Sequence, residues 1–533
     1  VGERTFPVTF VPANVTVWVP AGITVLQAAR AAGVLIAAPC GGRGVCGKCG
    51  VRVVEGELDA PDDQESLGLA VAPPTVRLAC RARIRGPVSL RPVLGSRPVA
   101  AETAAEDFDE QLLAAVDLGT TSVEAVLFGA RSGKELGRGA SANLQASWGA
   151  DVVARVSAAL DGAAEELRQA AEESVVRALS VACGKADACL DAVSRLVIAA
   201  NSVMSTSLLG EPLDAFAAHP FHAPFTEPRP ILPGGPLASA LSETVHTTVL
   251  PPLASFVGGD TLAGLLAAGL VDSGGTALYV DAGTNAEIVA LAPTGYVLAS
   301  AAAGPAIEGG GITSGGPAGD GAVRSVTLAE SGDIVADVIG GGEGAWLSGS
   351  GVVSCVAMLR KAGHLAADGV LTEHGPLADR FSHVGDVLAV RIAGSEARPV
   401  WVTQIDIRAF QTAKAAIASG IVATVRAAGL KPKRLGRLVL AGALGAALDP
   451  ADLVALGIVP TEFAGLIERA GNASLLGAAM IASDMTLLDD ARAALSGARH
   501  LELAADEGFT GAFLDALGLE PYSVKHGFTP HAR

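Results

Sequence analysis

The 533-residue chain has no apolar run long enough to cross a bilayer. Half of its residues are apolar, yet the longest run, near LAGLLAAGLV, is about half of the ~20 residues that a span requires. No membrane partner is expected. A basic excess is also missing: 38 Lys and Arg stand against 55 Asp and Glu, for a net charge of −17, which argues against nucleic acid as a partner. Cysteine is scarce, seven in all, so the chain is no disulfide scaffold and a reducing, cytoplasmic setting is expected. The first residues, which open on Val1, show no signal-peptide pattern. Length alone allows three or four domains, each able to bury a core.

What is present begins with four of those cysteines. Cys40, Cys46 and Cys49 fall in CGGRGVCGKC, and Cys80 in RLACRARI. A CxxxxxC and CxxC knuckle with one distant partner suits a [2Fe–2S] cluster, because a glycine-rich loop lets backbone amides wrap the sulfurs while a distant strand closes the cage. A structural zinc site more often shows two close pairs separated by a modest loop. Five glycines between Gly41 and Gly50 fit a loop that must curl tightly, and speak against unrelated buried thiols.

The flanks agree. VTFVPANVTVWVP alternates apolar and polar residues around a turn, as a hairpin does, and ITVLQAARAAGV has apolar residues at helical spacing. KCGVRVVEGE reads as a strand leaving the cysteine loop and TVRLACRARI as one returning with the last cysteine. Over residues 1 to 92 this resembles the ferredoxin family of the plant and adrenodoxin type, with the adrenodoxin-like five-residue gap between Cys40 and Cys46. The segment carries ten basic and seven acidic side chains, so the remainder holds −20. Arg43, Arg81 and Arg83 could dock an acidic electron donor or offset cluster charge. Residues 93–112, rich in Pro, Ala and acids without apolar periodicity, read as a linker.

A second feature is an internal echo. LAAVDLGTTSVEAVLFG from Leu113 and ALYVDAGTNAEIVALA from Ala277 align Asp117 with Asp281, Gly119 with Gly283 and Thr120 with Thr284, followed by Thr121 and Asn285. Glu124 lies one place from Glu287 in this alignment. In each, an apolar run delivers an aspartate to a strand end, a glycine permits close backbone approach, and a threonine offers donors to a phosphate. Two ordinary β-turns in an α/β sheet are the bland alternative. Two such turns 164 positions apart point to duplicated half-domains.

That pattern resembles the acetate kinase, sugar kinase, heat-shock ATPase and actin superfamily. The resemblance implies two ribonuclease-H-like lobes over residues 113–275 and 276–533, the second with a C-terminal extension, and nucleotide held in a cleft. It makes Asp117, Gly119, Thr120 and Thr121 a first phosphate turn and Asp281, Gly283, Thr284 and Asn285 a second. Both aspartates would act in catalysis and reach Mg²⁺ mainly through water. RLVLAGALGAAL places Gly442 and Gly445 as the adenosine-side turn. A long helix is expected from near Thr403 with Asp406 in its first turn, and LSGSGVVSCVAMLRKAG reads as a glycine turn opening a helix.

With VIAANSVMSTSLLG, PPLASFVGGDTLAGLLAAGL, SAAAGPAIEGGGITSGGPAGDGAV and ERAGNASLLGAAM added, the whole chain resembles the ATP-dependent reductive activators of corrinoid proteins. The fold class expected is α/β and multidomain: a β-grasp ferredoxin-like domain, a short linker, then the two-lobed ATPase. The resemblance implies a [2Fe–2S] cluster, ATP and Mg²⁺ as cofactors, a corrinoid protein and a low-potential electron donor as partners, and allows a homodimer. One departure stands out: some relatives place a separate middle domain before the nucleotide lobes, whereas here the Asp117 turn follows about twenty residues after the ferredoxin segment. A small-molecule kinase, a radical-dehydratase activase and a scaffold with a dead nucleotide site are the rival classes. Cys183, Cys189 and Cys355 are expected to be buried or half-buried thiols, and His364 and His374 surface or satisfied core. Asn201 and Met204 fit both the family pattern and a buried strand turning into a helix, and Asp260 reads as an N-cap or a cleft carboxylate.

Overall fold

The computed structural model describes residues 4–11, 15–32, 49–62, 65, 76–92, 111–149, 151–271, 274–316, 318–442, 445 and 448–524. The alternating pattern of the N-terminal segment forms the expected hairpin, β1 (Thr5–Phe10) and β2 (Val15–Pro20), paired from Thr5↔Pro20 to Phe10↔Val15. β3 (Gly50–Leu58), β4 (Val76–Leu78) and β5 (Ile84–Pro92) complete a sheet of order β2-β1-β5-β3-β4, in which β5 runs parallel to β1. Helix Val25–Ala31 sets Val25, Ala28 and Ala29 into a core with Val8, Phe10, Val51, Leu78, Ile84 and Leu90. The result is the β-grasp arrangement. One detail differs from expectation: the returning strand ends at Leu78, and Cys80 lies in the turn beyond it. The amides of Arg81 and Ala82 both bond back to the Leu78 carbonyl at 2.8 Å, which closes that turn.

β6 (Leu112–Leu118), β7 (Ser122–Gly129) and β8 (Glu135–Ala142) form an antiparallel meander. β9 (Val193–Ala200) adds parallel to β6, and β10 (His246–Val249) parallel to β9, for the order β10-β9-β6-β7-β8. β6 is almost wholly apolar because both faces of a parallel-paired strand are covered. Helix Ala164–Ala186 lies against β8, where glycine is obligatory: a Cβ on Gly139 would sit 2.0 Å from the Ala178 carbonyl oxygen.

The second unit repeats the plan. β11 (Ala277–Ala282), β12 (Ala286–Ala292) and β13 (Gly295–Ala301) form the meander. β14 (Ala322–Leu328), β15 (Ile334–Val338) and β16 (Trp346–Leu347) make one small sheet, and β17 (Phe381–Val384), β18 (Val387–Gly394) and β19 (Pro399–Thr403) another. β20 (Arg437–Gly442) then pairs parallel with β11, β21 (Ile467–Gly471) pairs parallel with β20, and the short β22 (Arg499–His500) pairs parallel with β13 at the far edge. The order β21-β20-β11-β12-β13 is that of the first unit, strand for strand. Helix Gln404–Ala427 begins at Thr403, where Thr403 and Asp406 form a reciprocal capping box. Helix Gly349–Lys361 opens at the glycine turn expected for it, with Ser348 as its cap.

By compactness, a short stretch within residues 276–533 groups with the preceding sheet. The first compact unit comprises residues 1–275 with 473–496, and the second residues 276–472 with 497–533. Helix Ala473–Ser483 is apolar around its circumference, so it needs cover on several sides. It packs on helix Gly259–Ala267, where a Cβ on Gly477 would come within 1.9 Å of the Ala263 carbonyl oxygen.

Gly477→Ala therefore forces the two helix backbones apart and is expected to destabilise the protein by about 1–3 kcal/mol in thermal unfolding. Gly497→Ala, where a Cβ meets nothing within 4 Å, is the control and should change little. A pH test comes from Lys414, which is buried on helix Gln404–Ala427 and donates to the Gly518 carbonyl. Burial lowers its pKa to about 7, against a smaller opposing effect of Glu520. The unfolded chain, with an ordinary lysine near ~10.4, binds more protons between those values, so stability rises as pH climbs from about 7 towards 10. Lys414→Met should flatten that rise relative to wild type.

Candidate functional site

The thiol end is built from two strands. Cys49 lies just before β3 and Cys80 just after β4, both buried, with their Sγ atoms 3.2 Å apart. That separation excludes a disulfide, whose sulfurs lie about 2.05 Å apart. The Ala79 amide donates to the Cys49 carbonyl at 2.8 Å, locking the two segments together. Two buried sulfurs this close, delivered from separate strands, fit the donor set of an iron–sulfur cluster. Cys40, Cys46 and Arg43 lie outside the described residues, and among the described residues no group of three or more His, Cys, Asp or Glu is placed to hold a metal ion.

Glu65 braces this end. Its buried carboxylate takes two hydrogen bonds from Arg77, at 2.8 and 2.9 Å, and one from the Leu78 amide at 2.7 Å. Of the arginines considered for docking a donor, the two that are described, Arg81 and Arg83, are engaged within the domain. Arg81 pairs with Asp62, and Arg83 donates to the Gly22 carbonyl at 2.8 Å.

In the first unit, Asp117 stands half-buried at the end of β6, opposite Glu124 on β7 and beside Ala199 on β9. The turn closes with the Gly119 amide on the Ser122 carbonyl at 3.0 Å. A buried polar set lies behind it. Asn143 Nδ2 donates to the Gly119 carbonyl at 2.8 Å, Arg155 Nη2 to the Thr120 carbonyl at 2.7 Å, and Asn201 Nδ2 to Thr120 Oγ1 at 3.0 Å. Asn201 also caps helix Ser202–Leu208 through the Met204 amide, so the strand-to-helix turn is itself part of the support. Thr121 is exposed.

In the second unit, Asp281 stands opposite Glu287 and beside Ala441. The one-place offset between Glu124 and Glu287 vanishes in the register, since each glutamate faces its aspartate directly. The difference is absorbed in the turns: Leu118 pairs with Val123, but Ala282 with Ala286. Gly283 closes the second turn on the Asn285 carbonyl at 2.8 Å, and Thr284, buried, donates to Glu308 Oε2 at 2.6 Å. Tyr279 Oη donates to Asp281 Oδ2 at 3.0 Å. Gly442 has φ +61°, and a Cβ there would fall 2.3 Å from Asp281 Oδ1. The glycine expected on the adenosine side thus abuts the aspartate. Gly445 packs on β20, its amide bonded to the Ala441 carbonyl at 3.1 Å.

Sequence reading missed Tyr279, Glu308, Asn143 and Arg155. Tyr279 had a usable signal, since it lies two residues before Asp281 and so on the same strand face. The others are remote in sequence and carried none. Of the two readings of Asp260, the N-cap is excluded, for Gly258 is the N-cap and Asp260 sits in the first turn, bonded to the Thr261 amide at 2.7 Å. Cys183 and Cys355 are buried, and burial raises both thiol pKa values. Cys189 is exposed, against expectation, because it lies in the turn after helix Ala164–Ala186. His364 is a satisfied core histidine: Leu377 N–H donates to Nε2 at 2.9 Å, and Nδ1 lies 2.9 Å from the Thr372 carbonyl. Among the described residues no helix is long and apolar enough to cross a membrane.

Residues 8–85 match the model of a 2Fe-2S iron-sulfur cluster binding domain, 112–273 the RACo middle region, and 275–526 the C-terminal domain of RACo, the ASKHA domain. The corrinoid activation enzyme RamQ of Eubacterium limosum is 31% identical over 418 residues, spanning 75% of this chain and 69% of the relative. The chain belongs to the family of corrinoid reductive activators. A Co(II) methylated amine-specific corrinoid protein reductase of Methanosarcina barkeri is 29% identical over 289 residues, half of each chain. A solved structure titled reductive activator for corrinoid, iron-sulfur protein has the same fold, with a TM-score of 0.74 over 97% of this chain and 98% of that one at 22% identity. Within the activator family, residues 112–273 are the middle region, so the segment expected to be absent here is the one that carries the Asp117 turn.

In Gly442→Ala the Asp281 carboxylate must swing away from the strand end and release Tyr279. The left-handed backbone adds about 1–2 kcal/mol for any residue with a Cβ. Lower thermal stability and a displaced Asp281 in a crystal structure of the variant are expected.

Proposed function

We propose that this activator uses nucleotide turnover to pass an electron from its N-terminal domain to the Co(II) of a corrinoid protein, restoring Co(I) for methyl transfer. The observation that carries this is the doubled strand order: each of two sheets sets an aspartate opposite a glutamate beside a Gly-Thr turn, in a chain that starts with a ferredoxin-type domain. The relatives' names, corrinoid activation enzyme and Co(II) corrinoid protein reductase, support the same assignment.

Cys40, Cys46, Cys49 and Cys80 would hold the [2Fe–2S] cluster, which supplies a one-electron carrier. Asp117, Gly119, Thr120 and Thr121 would form one phosphate turn of an ATP site, and Asp281, Gly283, Thr284 and Asn285 another. Both aspartates would reach Mg²⁺ through water, and Asp281 would orient the attacking water. Tyr279 supports that role by holding Asp281 Oδ2, and Gly442, without a side chain, leaves room for Oδ1. Gly442 and Gly445 would pass the adenosine side against bare backbone.

Energetics explains the nucleotide. Plant-type clusters sit near about −400 mV, and each ~59 mV of uphill gap lowers a one-electron equilibrium tenfold. Hydrolysis would favour the conformer that binds the Co(II) partner with weakened cobalt ligation, and it can do so only through a difference in affinity between states. A low-potential donor would reload the N-terminal domain, in a cytoplasmic setting.

Reduced protein mixed anaerobically with a Co(II) corrinoid protein should show the Co(I) absorbance only with Mg-ATP. Asp281→Ala should abolish that change while leaving the visible spectrum of the N-terminal domain intact. Undiminished reactivation by the variant would remove Asp281 from the mechanism.

A further inference from the structure

Each carbonyl oxygen of the turn Gly119–Thr121 is tied back by a separate donor. Asn143 Nδ2 holds the Gly119 carbonyl at 2.8 Å, Arg155 Nη2 the Thr120 carbonyl at 2.7 Å, and the Asn143 backbone amide the Thr121 carbonyl at 3.0 Å. In a planar trans peptide the C=O and the following N–H point in opposite directions. Holding the Gly119 and Thr120 carbonyls towards the interior therefore turns the Thr120 and Thr121 amides outwards. Successive outward amides form a concave nest for an anion. Thr120 Oγ1 accepts from Asn201, and its hydroxyl retains a proton for donation to a ligand.

Arg155 has a second effect. The side chain is 1% exposed, and its other contacts are the Gly149 carbonyl at 3.0 Å, Gln145 Oε1 at 3.2 Å and Met204 Sδ at 3.2 Å. None of these is a carboxylate. Burial lowers its pKa to about 10, with Asp151 acting in the opposite direction, so it stays charged at neutral pH. A buried guanidinium bound only to neutral acceptors keeps its field, and that field acts in a medium where water screens it poorly.

We propose that Arg155, seconded by Asn143, is the positioning residue of the first phosphate turn: it fixes the peptide planes that aim the Thr120 and Thr121 amides at a polyphosphate and places positive charge behind them. This rests on the Asp117 turn being a phosphate turn. Arg155 does not touch the nucleotide. Its effect should fall on the phosphates and not on the nucleoside.

The test is calorimetric binding of MgATP and of adenosine to the full-length protein. Arg155→Met should weaken MgATP by about 10- to 100-fold, the size expected for losing a charge-assisted hydrogen bond, with adenosine affinity unchanged. Arg155→Lys, which keeps the charge but not the fork, should recover part of the loss. Asn143→Ala, which frees the Gly119 carbonyl, should act in the same direction and serves if Arg155→Met does not fold. Folded variants whose ratio of MgATP to adenosine affinity equals that of wild type would overturn the proposal. If Thr120→Val weakens MgATP while these variants do not, the phosphate turn stands and the role of Arg155 falls. Absence of MgATP binding to wild type would overturn both.

Discussion

The constraint on which the second turn depends is the close approach of Asp281 to Gly442. Two parallel strands, β11 and β20, end side by side, and the carboxylate at the end of one lies where any side chain on the other would have to be. Tyr279 grips the second carboxylate oxygen from the same strand face. The carboxylate is thereby held before any ligand arrives, and the entropy of ordering it is met during folding. The second turn and Glu308 are arranged around that fixed point.

The first unit has the same sheet but solves the problem with different atoms. Asp117 again sits beside a small residue, Ala199, and opposite a glutamate. Its turn is held from behind by Asn143, Arg155 and Asn201, whereas the second turn is held by Thr284 on Glu308 and by the Gly304 amide on the Thr284 carbonyl at 2.8 Å. Backbone polar groups in a buried turn must find partners, but nothing requires the same partners in both copies. Topology has persisted through the repeat while the supports diverged.

The N-terminal domain follows a separate logic. It is small, and its core is a single layer of residues between sheet and helix, so the cysteine-bearing segments need further ties. The Glu65–Arg77 pair and the Ala79–Cys49 bond supply them. A buried ion pair of this kind adds little net stability, but removing one partner is costly, which makes it a device for fixing geometry.

Local pattern alone determined much of this protein. The hairpin, the cysteine spacing, the two strand–turn–strand repeats and the helix start at Thr403 are short-range features, and period, capping chemistry and glycine placement are legible within a dozen residues. The aspartate pair and its threonines were likewise visible as a repeat. Only the folded chain decided that Glu124 and Glu287 are equivalent, because register counts across strands and the alignment counts along the chain. Only the folded chain returned residues 473–496 to the first unit, placed Gly442 against Asp281, and brought Arg155 behind Thr120. Those contacts join residues tens to hundreds of positions apart, and packing selects them, not propensity.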